Sequence, residues 1–143
     1  MNNVSIKTFP RTEKGVDLGI WYRPMLKFFS QTDPTNKEIQ STLDHCLSMS
    51  SLWCIAVANS YLQVGYASLE GGLLAYAHVA DYYRRRGVYK DLVRVRMEYA
   101  KNVLKVNEIS VEPTDVTEEY FRKLGFEIKT DEYEQTLGIL KVR

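Results

Sequence analysis

Hydrophobic positions along the chain switch between a period of two and a period near 3.6, and each switch marks an element. "NVSIKTF" alternates and predicts a first strand closed by Pro10. "VDLGIWYRPMLKFF" carries apolar residues at helical spacing around Pro24, which predicts two short helical pieces or one irregular one. In "TDPTNKEIQSTLDHCLSM", Asp33-Pro34 marks a turn, and Thr35 with Glu38 three residues later forms a candidate capping box. Ile39, Leu43 and Leu47 then form an apolar stripe on a second helix. "SLWCIAVAN" and "YLQVGYASLE" read as a hairpin around Asn59-Ser60, and Glu70-Gly71-Gly72 as the next turn. "LLAYAHVA" is apolar on both faces and predicts a central strand.

After "DYYRRRG" the period lengthens again. Tyr89, Leu92, Val93, Val95, Met97, Ala100, Val103 and Leu104 recur at helical spacing, with Lys90, Arg94 and Lys101 off the stripe. "EISVEP" predicts a buried strand ended by Pro113. "TDVTEEYFRKLGF" predicts a short helix with Asp115 as N-cap, Glu118 three residues later and Gly125 as C-cap. "FEIKTDEYE" and "TLGILKV" close the chain as an antiparallel pair. The order βααβββαβαββ predicts an α/β (α+β) protein: one domain over 1–143, a mixed sheet and helices on its faces.

A chain of 143 residues is long enough to bury a core without metals or disulfides. Hydrophobic residues at 45% and charged residues at 26% give a soluble globular balance. The net charge of +1 argues against a surface coated for nucleic acid, so the basic run "YYRRRGVYK" needs a local explanation. Cys46 and Cys54 sit in apolar surroundings and read as reduced core residues, and no Cys or His spacing suits a metal. The N-terminal stretch has no apolar signal core, and no apolar run would span a bilayer. The expected setting is the cytoplasm, or a host cytoplasm or virion if the protein is viral.

A strand that runs through a short loop into a helix presents unpaired backbone N–H groups at the positive end of the helix dipole. Such a terminus binds phosphate, a glycine lets the ligand approach the backbone, and arginine forks match phosphate oxygens. Strand, Arg84-Arg85-Arg86-Gly87, helix is therefore a candidate anion cradle for a diphosphate. A solvated loop with incidental arginines is the alternative.

"VADYYRRRGVYKDLV", followed by "EISVEP" and "EEYFRKLGF", resembles the GNAT superfamily of acetyl-coenzyme A-dependent N-acetyltransferases. Val79 matches the end of the family's fourth strand, Arg84 its Arg or Gln, and Gly87 its first loop glycine. Tyr89 stands at the second glycine. "FRKLGF" resembles the family's "YEKLGF", with Phe121 at the tyrosine. The element order agrees from Asn3 onward, so the resemblance implies a GNAT-like, largely antiparallel sheet with one central parallel pair. It also implies acetyl-coenzyme A as co-substrate. The pantetheine arm would pair with the strand around Ala77, His78 and Val79. The diphosphate would sit on the loop Arg84, Arg85, Arg86, Gly87, Val88 and Tyr89, with Thr114 in place of the family's asparagine.

Acetyl transfer to an amine needs a proton acceptor, a polarised carbonyl and a proton for the leaving sulfur. The resemblance places the acid at Phe121, which has no proton to give. Tyr120 is its neighbour, rotated by about 100° on a helix, and would substitute only if the helix is turned or shifted. The family's early base falls on Leu73, Leu74 and Ala75; His78, Glu112 and Glu70 are the remaining candidates, with a water chain as another route. The first reading is an N-acetyltransferase acting on a small amine, a peptide N-terminus or a lysine. The second is a GNAT-fold binding or structural component of a larger assembly, for example a phage virion, to which the 10 tyrosines would contribute contacts. Nucleic-acid binding ranks last, and a homodimer is compatible with either of the first two. The acceptor pocket would come from the first helices and the last hairpin, where Asp131, Glu132 and Glu134 are acidic.

Overall fold

The computed structural model describes residues 3–143. The strands are β1 Val4–Thr12, β2 Gly15–Val16, β3 Leu52–Ala58, β4 Leu62–Glu70, β5 Leu73–Val79, β6 Glu108–Val111, β7 Glu127–Thr130 and β8 Thr136–Lys141. The helices are α1 Tyr22–Thr32, α2 Ile39–Met49, α3 Val88–Asn102 and α4 Glu118–Lys123. The expected order holds, with the two-residue β2 added. The sheet runs β2-β1-β3-β4-β5-β6-β8-β7, and among the described residues only β5 and β6 pair in parallel.

Both faces of the sheet are covered, and side-chain alternation separates two cores. Leu52, Cys54, Ala56 and Ala58 of β3 join Val88, Leu92, Val93 and Ala100 of α3, with Phe121 and Phe126. Trp53, Ile55 and Val57 join Met25, Phe29, Leu43 and Leu47 on the side of α1 and α2. Hence β3 is buried along its whole length. The β3–β4 turn forms as expected, with Asn59 and Ser60 both at positive φ and Tyr61 N–H donating to the Ala58 carbonyl.

Several sequence expectations change in detail. The first strand continues through Pro10, opposite Leu52. The Arg11 N–H faces β3 and donates to Ser51, so the Pro10 nitrogen faces the opposite edge, beyond the end of β2, where no N–H is needed. Pro24 lies in the first turn of α1, where its missing donor has no intrahelical acceptor; the irregular piece is a 3-10 turn over Gly19–Trp21 ahead of it. The Thr35 capping box does not form. Asn36 occupies the turn instead, accepting from Glu38 N–H and donating to Thr42, and α2 starts at Ile39. Asp115 does not cap α4; Thr114 and Thr117 close that turn through each other. Gly125, at φ 100°, ends α4 with Phe126 N–H on Phe121 and Gly125 N–H on Arg122, a Schellman closure. Val103 and Leu104 lie beyond α3 and are exposed, because the helix stops at Asn102.

Candidate functional site

The strand read as central and apolar on both faces is the one the fold opens. β5 is fifth of eight in the sheet, yet Tyr76 and Ala77 are exposed. β6 pairs with it only at Leu73↔Ser110 and Leu74↔Val111, then parts from it. On the other side, Leu69 faces Leu74 and Ala67 faces Ala77, so Ala75 and Tyr76 together oppose Ser68. This bulge bends β5 away from its neighbour. The edge from Ala75 to Val79 is left open for an extended ligand, the geometry of strand addition.

The fork leads to the N-terminus of α3. The chain leaves β5 at Val79, makes a 3-10 turn over Asp81–Tyr83 and enters α3 through Arg85 at φ 62° and Gly87 at φ 85°. The first helical bond runs from Asp91 N–H to the Gly87 carbonyl, so the amides of Val88, Tyr89 and Lys90 have no intrahelical acceptor. A Cβ built on Gly87 would meet no atom within 4 Å, and Gly87 lines a cavity of about 830 Å³. A ligand approaches the backbone there because nothing stands in the way.

Arg84, Arg85, Lys90 and Lys123 line this cavity, and among the described residues no carboxylate does. Arg84 Nε donates to the Val79 carbonyl at 3.2 Å, and its Nη1 pairs with Asp81 at 3.2 Å. Both partners of that pair are largely exposed, so it is worth little and yields readily to a phosphate. Lys90 Nζ lies 5.7 Å from the Tyr120 ring centre.

Ala77, His78, Val79, Arg84, Arg85, Gly87, Tyr89, Thr114 and Tyr120 all line the cavity. Four residues assigned from the sequence do not, among them Glu70, the last residue of β4. The Arg86 guanidinium sits over Tyr83, 5.1 Å from the ring centre. The Val88 side chain is buried in the core, which leaves its amide as the group at the helix mouth. Glu112 is exposed just past β6. Tyr89 turns its ring towards Tyr120, with ring centres 6.2 Å apart. Phe121 is 0% exposed and packs against Phe126, whereas Tyr120 reaches the cavity wall.

Electrostatics separates the two titratable candidates on this wall. Burial raises the Tyr120 phenol; Arg96 pulls it back down and Asp91 adds to the rise. Burial and then Arg84 lower the His78 imidazole, so it is neutral at pH 7. The His78 ring packs between Phe28 and Tyr66, 5.9 and 5.7 Å away. Tyr66 in turn stacks on Trp53 at 5.5 Å, so the imidazole is held by the α1/α2 core while it borders the cavity.

Four contributors escaped the sequence reading, the first of them Lys90 in the opening turn of α3. Lys123 and Thr117 line the cavity from α4 and the turn before it. Arg96 is only 1% exposed, inside the α3 stripe midway between Leu92 and Ala100. A charged residue at a core position of an amphipathic helix was the available signal. Among the described residues, no group of three His, Cys, Asp or Glu side chains is placed to hold a metal, and no helix is long and apolar enough to cross a membrane.

No protein-family model and no curated protein matches the chain. Solved structures do. A GNAT-family N-acetyltransferase from Escherichia coli, YhbS in complex with CoA, aligns with a TM-score of 0.71 at 12% identity over 100% of this chain and 83% of that one. An acetyltransferase of the GNAT family from Staphylococcus aureus Mu50 aligns at 0.66 and 14% identity, over 97% and 100% of the two chains. AAC(6')-Iy in complex with the bisubstrate analogue CoA-S-monomethyl-acetylneamine aligns at 0.64 and 17% identity, over 87% and 90%. The protein has the GNAT fold.

Proposed function

We propose that this protein is an N-acetyltransferase that moves the acetyl group of acetyl-coenzyme A onto an amine by direct attack. One observation carries the reading: an open strand edge at the β5/β6 fork runs into a cavity that is cationic, free of carboxylates and floored by a glycine at a helix N-terminus. The coenzyme A bound to YhbS and the bisubstrate analogue bound to AAC(6')-Iy support it.

The residues present fit the co-substrate. The amides of Val88, Tyr89 and Lys90 and the side chains of Arg84, Arg85, Lys90 and Lys123 hold its phosphates. The backbone from Ala77 to Val79 holds its extended arm. When bound, acetyl-coenzyme A supplies an activated thioester. Tyr120 holds a proton at Oη for the leaving sulfur, and its raised titration keeps that proton in place at neutral pH. His78 is neutral and accepts the proton of the attacking amine, entering from the α1/α2 side.

Calorimetric titration with acetyl-coenzyme A tests this. Binding is expected, with a stabilisation of about 2.7 kcal/mol at a ligand concentration 100 times the dissociation constant. A flat titration at millimolar ligand removes the reading. The burial of Phe121, at the position of the family's tyrosine, favours a second reading: a coenzyme A-binding GNAT scaffold of a larger assembly. Binding without acetylation across a panel of small amines, peptides and lysines selects that one.

A further inference from the structure

We propose that the Tyr89 ring is the stop that sets the length of the acyl group: the site takes a two-carbon acyl chain and turns away one of six carbons. The inference rests on the assignment of the cavity to coenzyme A with Tyr120 at the sulfur, and adds to it a specificity-determining residue. Tyr89 is the second residue of α3, two after Gly87. Its amide belongs to the helix mouth. Its side chain lines the cavity and packs against the α3-side core.

The ring is braced on two sides. Its centre lies 6.2 Å from that of Tyr120, at an interplanar angle of 63°. Rings at this separation and tilt touch edge to face, so no chain passes between them. Tyr120 has a backing of its own. Its ring centre is 5.2 Å from that of Phe121, which is 0% exposed and lies 5.3 Å from Phe126. Along α3, Leu92 comes three residues after Tyr89 and Arg96 seven after, on the same face. Leu92 is fully buried, and Arg96 Nη1 donates to the carbonyls of Ser68 at 2.9 Å and Ala75 at 3.4 Å. The space down the helix is filled, so the Tyr89 ring has nowhere to retreat.

The chemistry leaves one direction for the acyl chain. At the thioester carbon, the sulfur stands towards Tyr120. The amine enters from the α1/α2 side, where His78 packs against Phe28 and Tyr66. Successive residues of a strand face opposite ways, so Val79 joins the α3-side core while His78 turns from it. The remaining direction is the α3-side wall, which the two tyrosine rings close. A methyl group ends short of that wall. Each further methylene has to displace a braced ring, and overpacking of this kind is unfavourable. The stop is made by the ring and not by its hydroxyl.

Calorimetric titrations of the parent with free, acetyl- and hexanoyl-coenzyme A are the test. Hexanoyl-coenzyme A should bind at least about tenfold more weakly than acetyl-coenzyme A, the low end of discrimination by a single methylene. Tyr89→Ala, shown to be folded by circular dichroism, should bring the two affinities together, because the chain enters the vacated space. Tyr89→Phe keeps the ring and should keep the parent's ratio. Equal affinities in the parent overturn the proposal, and so does an undiminished ratio in Tyr89→Ala. If Tyr89→Ala does not fold, Tyr89→Leu, apolar but of shorter reach, takes its place: the ratio should fall, and an undiminished ratio overturns the proposal. Free coenzyme A separates the length stop from the cofactor assignment. If it binds and the two acyl forms bind alike, only the length stop falls. If it does not bind, the cofactor assignment falls and takes the length stop with it.

Discussion

The two faces of the β5/β6 fork belong to one sheet and have opposite characters. On the α3 side the cavity is lined by Arg84, Arg85, Lys90 and Lys123 and by three tyrosines, with no carboxylate among its described lining residues. On the α1/α2 side the rings of Phe28, Tyr66 and His78 pack together. There Cys46 and burial, with Glu70 and Glu112 adding, hold the Tyr76 phenol above its usual range. Alternation along a strand sends successive side chains to opposite faces, so a short opened stretch serves both environments at once. One side suits a polyanion; the other, with its nearby carboxylates and neutral imidazole, suits an amine. A reaction that joins such partners needs them to meet across a thin wall, and a parted pair of strands is one.

Breaking the cationic side should have the largest effect. Gly87→Glu fills the open cradle and repels phosphate, and it should remove measurable acetyl-coenzyme A binding by calorimetry while circular dichroism shows a folded protein. Removing the proton donor comes next. Tyr120→Phe should lower turnover by about 10²-fold with coenzyme A affinity unchanged, since the hydroxyl acts only as the sulfur leaves. Phe121→Tyr sharpens the point. A hydroxyl at this fully buried position meets no open space, so the change should cost roughly 1–3 kcal/mol in denaturant melts and add no activity. Arg84→Ala is expected to weaken binding by about tenfold, at the low end for a charged hydrogen bond, because Asp81 and Val79 share this side chain.

The smallest effect tests the aromatic side. The folded His78 titrates below its unfolded value of about 6.5, so its contribution to stability is full above that pH. As the pH falls below 6.5 the unfolded chain takes up its proton first, and stability drops until the folded ring also protonates. His78→Phe should remove this part of the pH dependence of the melting temperature between pH 7 and 5. An identical slope in both proteins would show that the ring protonates freely and is not held by Phe28 and Tyr66.

Local patterns carried a large share of the fold. The Asn59-Ser60 turn, the Gly125 helix end and the glycine at the start of α3 were legible because each follows from the backbone freedom of a few neighbouring residues. Capping was less legible. Thr35 and Asp115 have the right chemistry, but Asn36 and the Thr114–Thr117 pair reach the free donors instead, and the choice rests on where the loop enters.

By itself, the sequence determined the order of elements, the division into helical and extended segments, and the arginine-glycine mouth of α3, since all are written in spacing over a few residues. Only the tertiary structure decided how far β5 stands open, that Tyr120 and not Phe121 faces the cavity, and that Arg96 is buried. The parting of β5 from β6 depends on pairings between residues as distant as Leu74 and Val111 and on a bulge opposite Ser68. Which side of α4 meets the core depends on how Phe121 packs against Phe126 on the far side of the turn. Such contacts arise when separate segments compete for the same buried surface, and the period of one segment carries no record of which of its neighbours will win.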